Sequence, residues 1–326
     1  MDHRTTDAIS DQGTSKRPGS PRAPVRHGAD GWAAAAKRSI GEFKEDNLQD
    51  WAAALTYYGI LSIFPGLLVL ISLLGLLGKS ATQPVITGLT TAAPGSVRQI
   101  VLNAMVHLQH SHAAAGILAA VGIVVGLWSA SSYVAGFMRA SNVVYDVPEG
   151  RPLWKTTPIR LGVTLVMLVM LVASALIVVV TGGLAARVGH ALGIGSAAVT
   201  AWNIAKWPVL LIIVSIMFAI LYWASPNARH GFRLVSPGSV LAVVLWLIAS
   251  GLFALYVAHF GSYNKIYGSL AGVIIFLIWM WISNTAVLIG LEFNAELERG
   301  RAIASGLPPD KEPFTELRDT RKLPVE

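Results

Sequence analysis

Six stretches of this chain are predominantly apolar for 17 to 23 residues each: 55–77, 113–134, 159–181, 207–223, 239–257 and 269–289. About 20 residues of helix cross some 30 Å of hydrocarbon, so each stretch can span a bilayer. A lone strand cannot satisfy its backbone in lipid, and the pattern therefore predicts six transmembrane helices. The fourth stretch is the shortest and can extend at either end. Weaker patterns flank these six. Trp32, Ala36, Ile40 and Phe43 recur at spacings of four, four and three, while Lys37, Arg38 and Lys44 lie largely off that face. Residues 31–51 thus predict an amphipathic helix with basic flanks. It suits the membrane surface or the protein's own cytoplasmic loops, and both can hold. After Pro94-Gly95-Ser96, Val97, Val101, Ala104, Met105 and Leu108 share a second helical face, with Ser96 as N-cap. This predicts a short helix on the outer leaflet or folded over the bundle.

Residues 1–30 have no apolar periodicity and much Pro, Gly, Ser and charge, as in Lys16-Arg17-Pro18-Gly19-Ser20-Pro21-Arg22. They predict a disordered cytoplasmic arm, and no secretory signal peptide is expected ahead of Leu55. The domain plan is an arm over 1–30, an interfacial helix over 31–51, a six-span domain over 52–300, and a mostly disordered cytoplasmic tail over 301–326. No internal repeat supports an inverted-repeat transporter. The fold class is an all-α polytopic membrane helix bundle.

Composition strengthens this picture. Of 326 residues, 54% are hydrophobic and 13% charged, about half the charge of an ordinary soluble protein. Such a chain cannot cover a water-facing surface of its size. A soluble enzyme, a disordered protein and a nucleic-acid-binding domain are excluded, despite a net charge of +7. There is no cysteine, hence no thiolate chemistry or disulfide.

Charge also gives orientation. The segments at one membrane face carry 20 Lys and Arg, those at the other only 5, namely Lys79, Arg98, Arg187, Lys206 and Lys265. The positive-inside rule then puts both termini in the cytoplasm. All 18 acids fall in cytoplasmic segments, since none occurs between Trp51 and Tyr145 or between Gly150 and Leu291. The net charge divides into +2 inside and +5 outside, which is no nucleic-acid footprint.

The polar residues that remain are candidates for a site. Tyr57, Tyr58, Ser62 and Pro65 lie in the first span, where the proline predicts a kink and the hydroxyls can face the protein interior. The two tyrosines equally suit a simple interfacial marker. Trp128-Ser129-Ala130-Ser131-Ser132-Tyr133 ends the second span. Asn142, Tyr145, Asp146 and Arg151 follow it, Asn227 and Arg233 sit in the second cytoplasmic loop, and Glu292, Asn294 and Glu296 close the last span. These groups converge on one face of the bundle. Glu292 follows the last span by about one turn and is expected either to pair with Arg139, Arg151 or Arg233 or to be a functional group. Small-residue faces (Gly59, Ser62 and Gly66; Gly122, Gly126 and Ser129; Gly268, Gly272 and Gly290) suit close helix packing first and a polar groove second. His107, His110 and His112 have no acid nearby to complete a metal site. No phosphate loop and no His-Glu-x-x-His motif occurs. No catalytic, metal or cofactor group is expected.

Several strings together resemble the YihY/BrkB family of bacterial membrane proteins. They are Asp50-Trp51-Ala52-Ala53-Ala54-Leu55-Thr56-Tyr57-Tyr58 with Leu61-Ser62-Ile63-Phe64-Pro65; Asn142-Val143-Val144-Tyr145-Asp146 with Arg151-Pro152; Tyr222, Pro226-Asn227, Arg233 and Pro237-Gly238; and Tyr267-Gly268-Ser269-Leu270 with Gly290-Leu291-Glu292-Phe293-Asn294-Ala295-Glu296. The resemblance covers about residues 35–300; Phe232 stands where many relatives have tryptophan. It implies a six-span protein of the bacterial cytoplasmic (inner) membrane. It also brings a "ribonuclease BN" label for some members, which the distribution of acids here disfavours, and a link of the BrkB branch to serum resistance. The implied function is transport or export of an envelope lipid or small solute. The alternative is a non-transporting structural or partner-binding envelope protein. Membrane lipids are the expected partners, with a homo-oligomer or envelope proteins also compatible, and no nucleic acid.

Overall fold

The structure, a computed structural model, describes residues 29–76, 114–179, 196–259 and 270–324. Tyr267, the three outer-loop histidines, the outer helix expected from Ser96 and nearly all of the N-terminal arm lie outside them. Among the described residues there are seven helices and no strand. They are α1 (Ala29–Glu45), α2 (Leu48–Leu76), α3 (Ala114–Val144), α4 (Leu153–Val179), α5 (Ser196–Ala224), α6 (Pro237–His259) and α7 (Leu270–Ala304).

Among the described residues, four helices are long and apolar enough to cross a membrane, over Leu153–Val178, Ala197–Ala224, Pro237–Ala258 and Ala271–Ala304. α2 and α3 cover the first two expected segments as helices of 29 and 31 residues. Pro65 sits inside α2, and the helix runs on through it. The short fourth segment extends backwards to Ser196, because helix continues past Pro208 and Lys206.

α2 packs along α3 and α6 along α7, while α7 also meets α1 and α2. The pairs approach closely where side chains vanish. A Cβ on Gly59 would stand 2.5 Å from the Met280 methyl, and one on Gly136 2.7 Å from the Tyr58 ring. Gly59 and Gly136 thus serve packing, whereas nothing lies within 4 Å of the Cβ position at Gly272. The buried core gathers at one end of the bundle, around Leu48, Leu55, Phe137, Tyr222, Leu288 and Leu291. Large apolar side chains such as Val169, Ile212, Ile248 and Leu252 are exposed on the outside of the helices. That is the arrangement expected of a bundle whose solvent is lipid.

Two expectations change. α1 ends at Glu45, and Asn47 adopts a left-handed conformation (φ 52°) before Leu48 opens α2. Asparagine is a usual non-glycine residue at such a helix end. Residues 48–51 therefore belong to the first long helix, not to the interfacial one. Moreover α1 buries Ala35 and Ser39, while Trp32 and Ile40 are exposed. The narrow small-residue face meets α7, and most of the apolar face is left free. The tail, expected to be mostly disordered, instead packs on the core end. Phe314 and Asp319 are buried there, and Ala228 pairs with Leu317 in an isolated antiparallel bridge. Its charges find partners on the bundle, which composition does not reveal.

Candidate functional site: the polar end of the bundle

The end of the bundle that holds the core also collects the polar groups. Inside it, a chain of hydroxyls and amides joins three helices. The Tyr133 hydroxyl of α3 donates to Asn284 Oδ1 of α7 at 2.8 Å. Asn284 Nδ2 donates to Thr56 Oγ1 of α2 at 3.0 Å, and Thr56 Oγ1 to the Ala52 carbonyl at 2.8 Å. Ser62 Oγ lies 3.1 Å from Ser132 Oγ. Tyr58 is half-buried with the Arg139 guanidinium 5.1 Å from its ring centre, while Tyr57 is exposed. Ser129 contributes its carbonyl, which accepts from Ser132 Oγ at 2.7 Å.

Around the loops, the expected residues form a knot. Arg151, almost wholly buried, gives Nε and Nη2 to the two Glu149 oxygens at 2.7 Å each, and Nη2 also reaches the Ser225 carbonyl at 2.7 Å. Burial alone would raise the Glu149 carboxyl, but the hydrogen bonds and charge of Arg151 hold it below its ordinary value. Asn142 donates to Glu149 at 3.0 Å and accepts from the Asn227 backbone N–H at 2.7 Å. Asn227 in turn grips the tail. Its Nδ2 donates to the Asp319 carbonyl at 2.9 Å, and its Oδ1 accepts from the Asp319 N–H at 3.1 Å. Lys155 closes the tail at Asp319 Oδ2, 2.6 Å away. That bond first, then the Arg321 backbone N–H, holds the Asp319 carboxyl low. Asn294 has a structural task as well, accepting from the Gly238 N–H at 2.8 Å and donating to Ser236 Oγ at 2.8 Å to fix the start of α6.

Glu292 does not pair with any of the arginines expected for it. It is buried, and its Oε2 has no hydrogen-bond partner. Arg139 is on Tyr58, Arg151 on Glu149, and Arg233 on the exposed edge of another cleft. Glu296 pairs with Arg38 of α1 and lies 3.6 Å from Arg299, which also reaches Glu42 of α1 at 3.5 Å and Glu312 of the tail at 3.0 Å. Composition does not single out Arg38, Glu42, Arg299 or Asp319, because charges near helix ends and in tails read as solvated. The one available signal is that no acid occurs between Trp51 and Tyr145 or between Gly150 and Leu291, so the carboxylates group in the segments that flank those runs.

The cleft at Arg233 measures about 370 Å³, counting its mouth, and lies between the end of α5, the loop before α6, and α7. His230, Asn294, Glu298 and Arg301 also line it. Burial first, then the charge of Arg318, lowers His230 to about 4, so it is neutral at physiological pH. Tyr145, buried in the turn after α3, stacks on His230 with ring centres 5.3 Å apart. Asp146, in a left-handed conformation (φ 52°), lines a separate open hollow with Asn142 and Glu312.

Asp46 stands where α1 turns into α2. Burial first, then Asp146 and Glu42, push its carboxyl from 3.8 up to about 7. The folded chain thus holds this proton more tightly than the unfolded one, so ionisation costs stability as pH rises from the unfolded toward the folded value. Asp46→Asn removes that cost: the melting temperature should rise at about pH 8 and hardly move at about pH 4. Intrinsic tryptophan fluorescence reads both melts, and an equal shift at the two pH values contradicts the assignment.

Among the described residues, no three His, Asp or Glu side chains are placed to hold a metal ion. What the geometry offers is a polar, acid-rich end on an apolar helical bundle, which is the build of a polytopic membrane protein. The chain belongs to the family described as Virulence factor BrkB, matching it over residues 39–314. It is 30% identical to the ribonuclease-like protein YfkH of Bacillus subtilis (strain 168) over 82% of this chain and 94% of that one. It is 29% identical to a UPF0761 membrane protein of Alkalilimnicola ehrlichii over 81% of this chain and 59% of that one. UPF0761 membrane protein RSc1559 of Ralstonia nicotianae is 30% identical over 78% of this chain and 56% of its own. The chain thus spans less than two thirds of the two UPF0761 relatives. No solved structure matches it.

Proposed function

We propose that this chain is a non-enzymatic protein of the bacterial cytoplasmic membrane that moves or exports an envelope lipid or a small polar solute. In this reading six helices span the membrane, both termini are cytoplasmic, and the exposed Trp32 and Ile40 of α1 rest in the inner leaflet. The observation that carries it is the buried polar thread of Tyr133, Asn284 and Thr56, inside helices that are otherwise apolar, together with buried Glu292, whose Oε2 has no hydrogen-bond partner. Neutral polar contacts can bind helices together, but an ionisable group at such depth is expensive and marks a functional position. Glu292 is then the group that meets the polar part of the cargo as it enters.

The test is flux or lipid scrambling in vesicles reconstituted with the purified chain. Glu292→Gln should abolish movement yet leave the fold intact, because the amide keeps the size and shape of the side chain while removing its acid function. Unchanged movement in the variant would sink the role of Glu292. The same vesicles read orientation, since the chain has no native cysteine and Ser305→Cys should label only from the cytoplasmic side.

A second reading, a non-transporting partner-binding protein, draws on the docked tail. Asn227, Lys155 and Arg299 spend their polar groups on holding it. A stoichiometric co-purifying protein together with silent vesicles favours that reading.

A further inference from the structure

We propose that the cytoplasmic ends of α3 and α4 form a binding site for the phosphate of an anionic phospholipid, held between the guanidinium groups of Arg139 and Arg160. This rests on the reading that both helices cross the membrane with these ends inside, but not on any transport cycle.

Arg160 lies about two helical turns into α4, and Arg139 about a turn and a half before the end of α3, each some 10 Å or less from its helix end. That is the depth at which headgroups give way to acyl chains. Arg160 Nε and Nη2 are buried and have no hydrogen-bond partner. Its guanidinium lies 4.3 Å from the centre of the Trp128 ring, as that of Arg139 lies 5.1 Å from the Tyr58 ring. The charge of Arg139 bears directly on Arg160. Among the described residues neither arginine makes an ion pair. The sequence explains why: no acid occurs between Trp51 and Tyr145 or between Gly150 and Leu291.

Each guanidinium therefore has a ring face as its counterpart, Arg139 from an exposed position and Arg160 with two buried donors unpartnered. A ring face is a weaker counterpart than an anion, and a buried donor without an acceptor is costly. An anion between the two guanidinium groups cancels both penalties at once. The planar fork of arginine is matched to the oxygens of a phosphate. The anion is a lipid because the site opens outwards: Trp128 is 53% exposed, next to exposed Val124 and Val125, so acyl chains can lie along α3 below the phosphate.

The experiment uses the full chain, delipidated in a neutral maltoside detergent. Native mass spectrometry counts bound dioctanoyl phosphatidylglycerol, dioctanoylglycerol and inorganic phosphate, and tryptophan fluorescence follows melting with each. The native chain should bind phosphatidylglycerol and melt higher with it, and should not respond to dioctanoylglycerol. Arg139→Gln with Arg160→Gln should weaken phosphatidylglycerol binding by about tenfold or more, the loss of two charge-assisted contacts. Without lipid the double variant should melt no lower than the native chain, since the buried, unpartnered Arg160 donors are removed. Arg160→Lys keeps the charge but not the fork and should bind at an intermediate level. Equal binding by native and double-variant chains overturns the site. So does equal response to dioctanoylglycerol, which would make the contact purely apolar. Binding of inorganic phosphate in place of the lipid overturns the lipid assignment. Silent vesicles with intact binding would dismiss transport alone and leave the site standing.

Discussion

Arg299→Met is expected to destabilise the protein by about 3–5 kcal/mol, the cost of breaking a buried charge network from one side. Arg299 is 2% exposed and reaches three carboxylates on three separate segments: Glu42 of α1, Glu296 of α7 and Glu312 of the tail. Its guanidinium also lies 5.7 Å from the centre of the Phe314 ring. Without it Glu296, equally buried, keeps only Arg38, and the charged contacts of α1 and the tail to Arg299 are lost together. Lysine is not expected to rescue, since one compact ammonium cannot span the carboxylates that two separate guanidinium nitrogens reach. The exposed pair Arg229–Glu316 is the control: both side chains are largely in solvent, and Arg229→Gln should be silent. Denaturant unfolding followed by tryptophan fluorescence measures the loss, and limited proteolysis reports whether the tail is released. A fully stable, protease-resistant Arg299→Met chain would mean that packing, not charge, holds these layers together.

This network marks the boundary of what is legible in the sequence. The long helices are, because a bilayer selects on hydrophobicity and length alone. The collection of polar groups at one end is legible too, since no acid occurs between Trp51 and Tyr145 or between Gly150 and Leu291. What each polar residue does there is not. The bonds of Asn142, Arg151 and Asn227 go to neighbouring loop side chains, to backbone and to the tail, and those of Asn294 to the start of α6, so they lock the loops together. The partner of Asn227 is Asp319, 92 residues away, and no local pattern points to it. The face of α1 escapes the pattern for a different reason. Trp32, Ala36 and Ile40 are apolar, but lipid is as apolar as a protein core, so hydrophobicity cannot say which of the two a face meets. The small residues Ala35 and Ser39 decide it, because they let α1 come close to α7. In the tail, proline and charge suggest a solvated chain. Here Lys155, Arg299 and the Asn227 amide supply the complementary groups that dock it.

The second large effect is expected at the crossing of α6 and α7. Gly290→Val should destabilise by about 3 kcal/mol, at the upper end of overpacking costs, or prevent assembly of the pair. A Cβ at Gly290 would press on the Gly238 carbonyl and stand 2.7 Å from both the Ala242 Cβ and the Tyr222 hydroxyl. None of these can give way cheaply. The first is backbone; the Tyr222 hydroxyl is fixed by donating to the Val287 carbonyl at 2.6 Å. Gly238 is in the same position from the other side, facing the Gly290 carbonyl and the Asn294 amide that caps α6. The two backbones touch, and separating them would also pull Asn294 from Ser236. Gly251 and Gly272, on the same two helices, have nothing within 4 Å of the place a methyl would take. Alanine there should be neutral or slightly stabilising, since it also removes the entropic cost of glycine in a helix. Melting temperature and the yield of monodisperse protein compare the four sites. Equal tolerance at Gly290 and Gly272 would show that α6 and α7 do not cross where these glycines meet, and Asn294 would then lose its place as the cap that sets the start of α6.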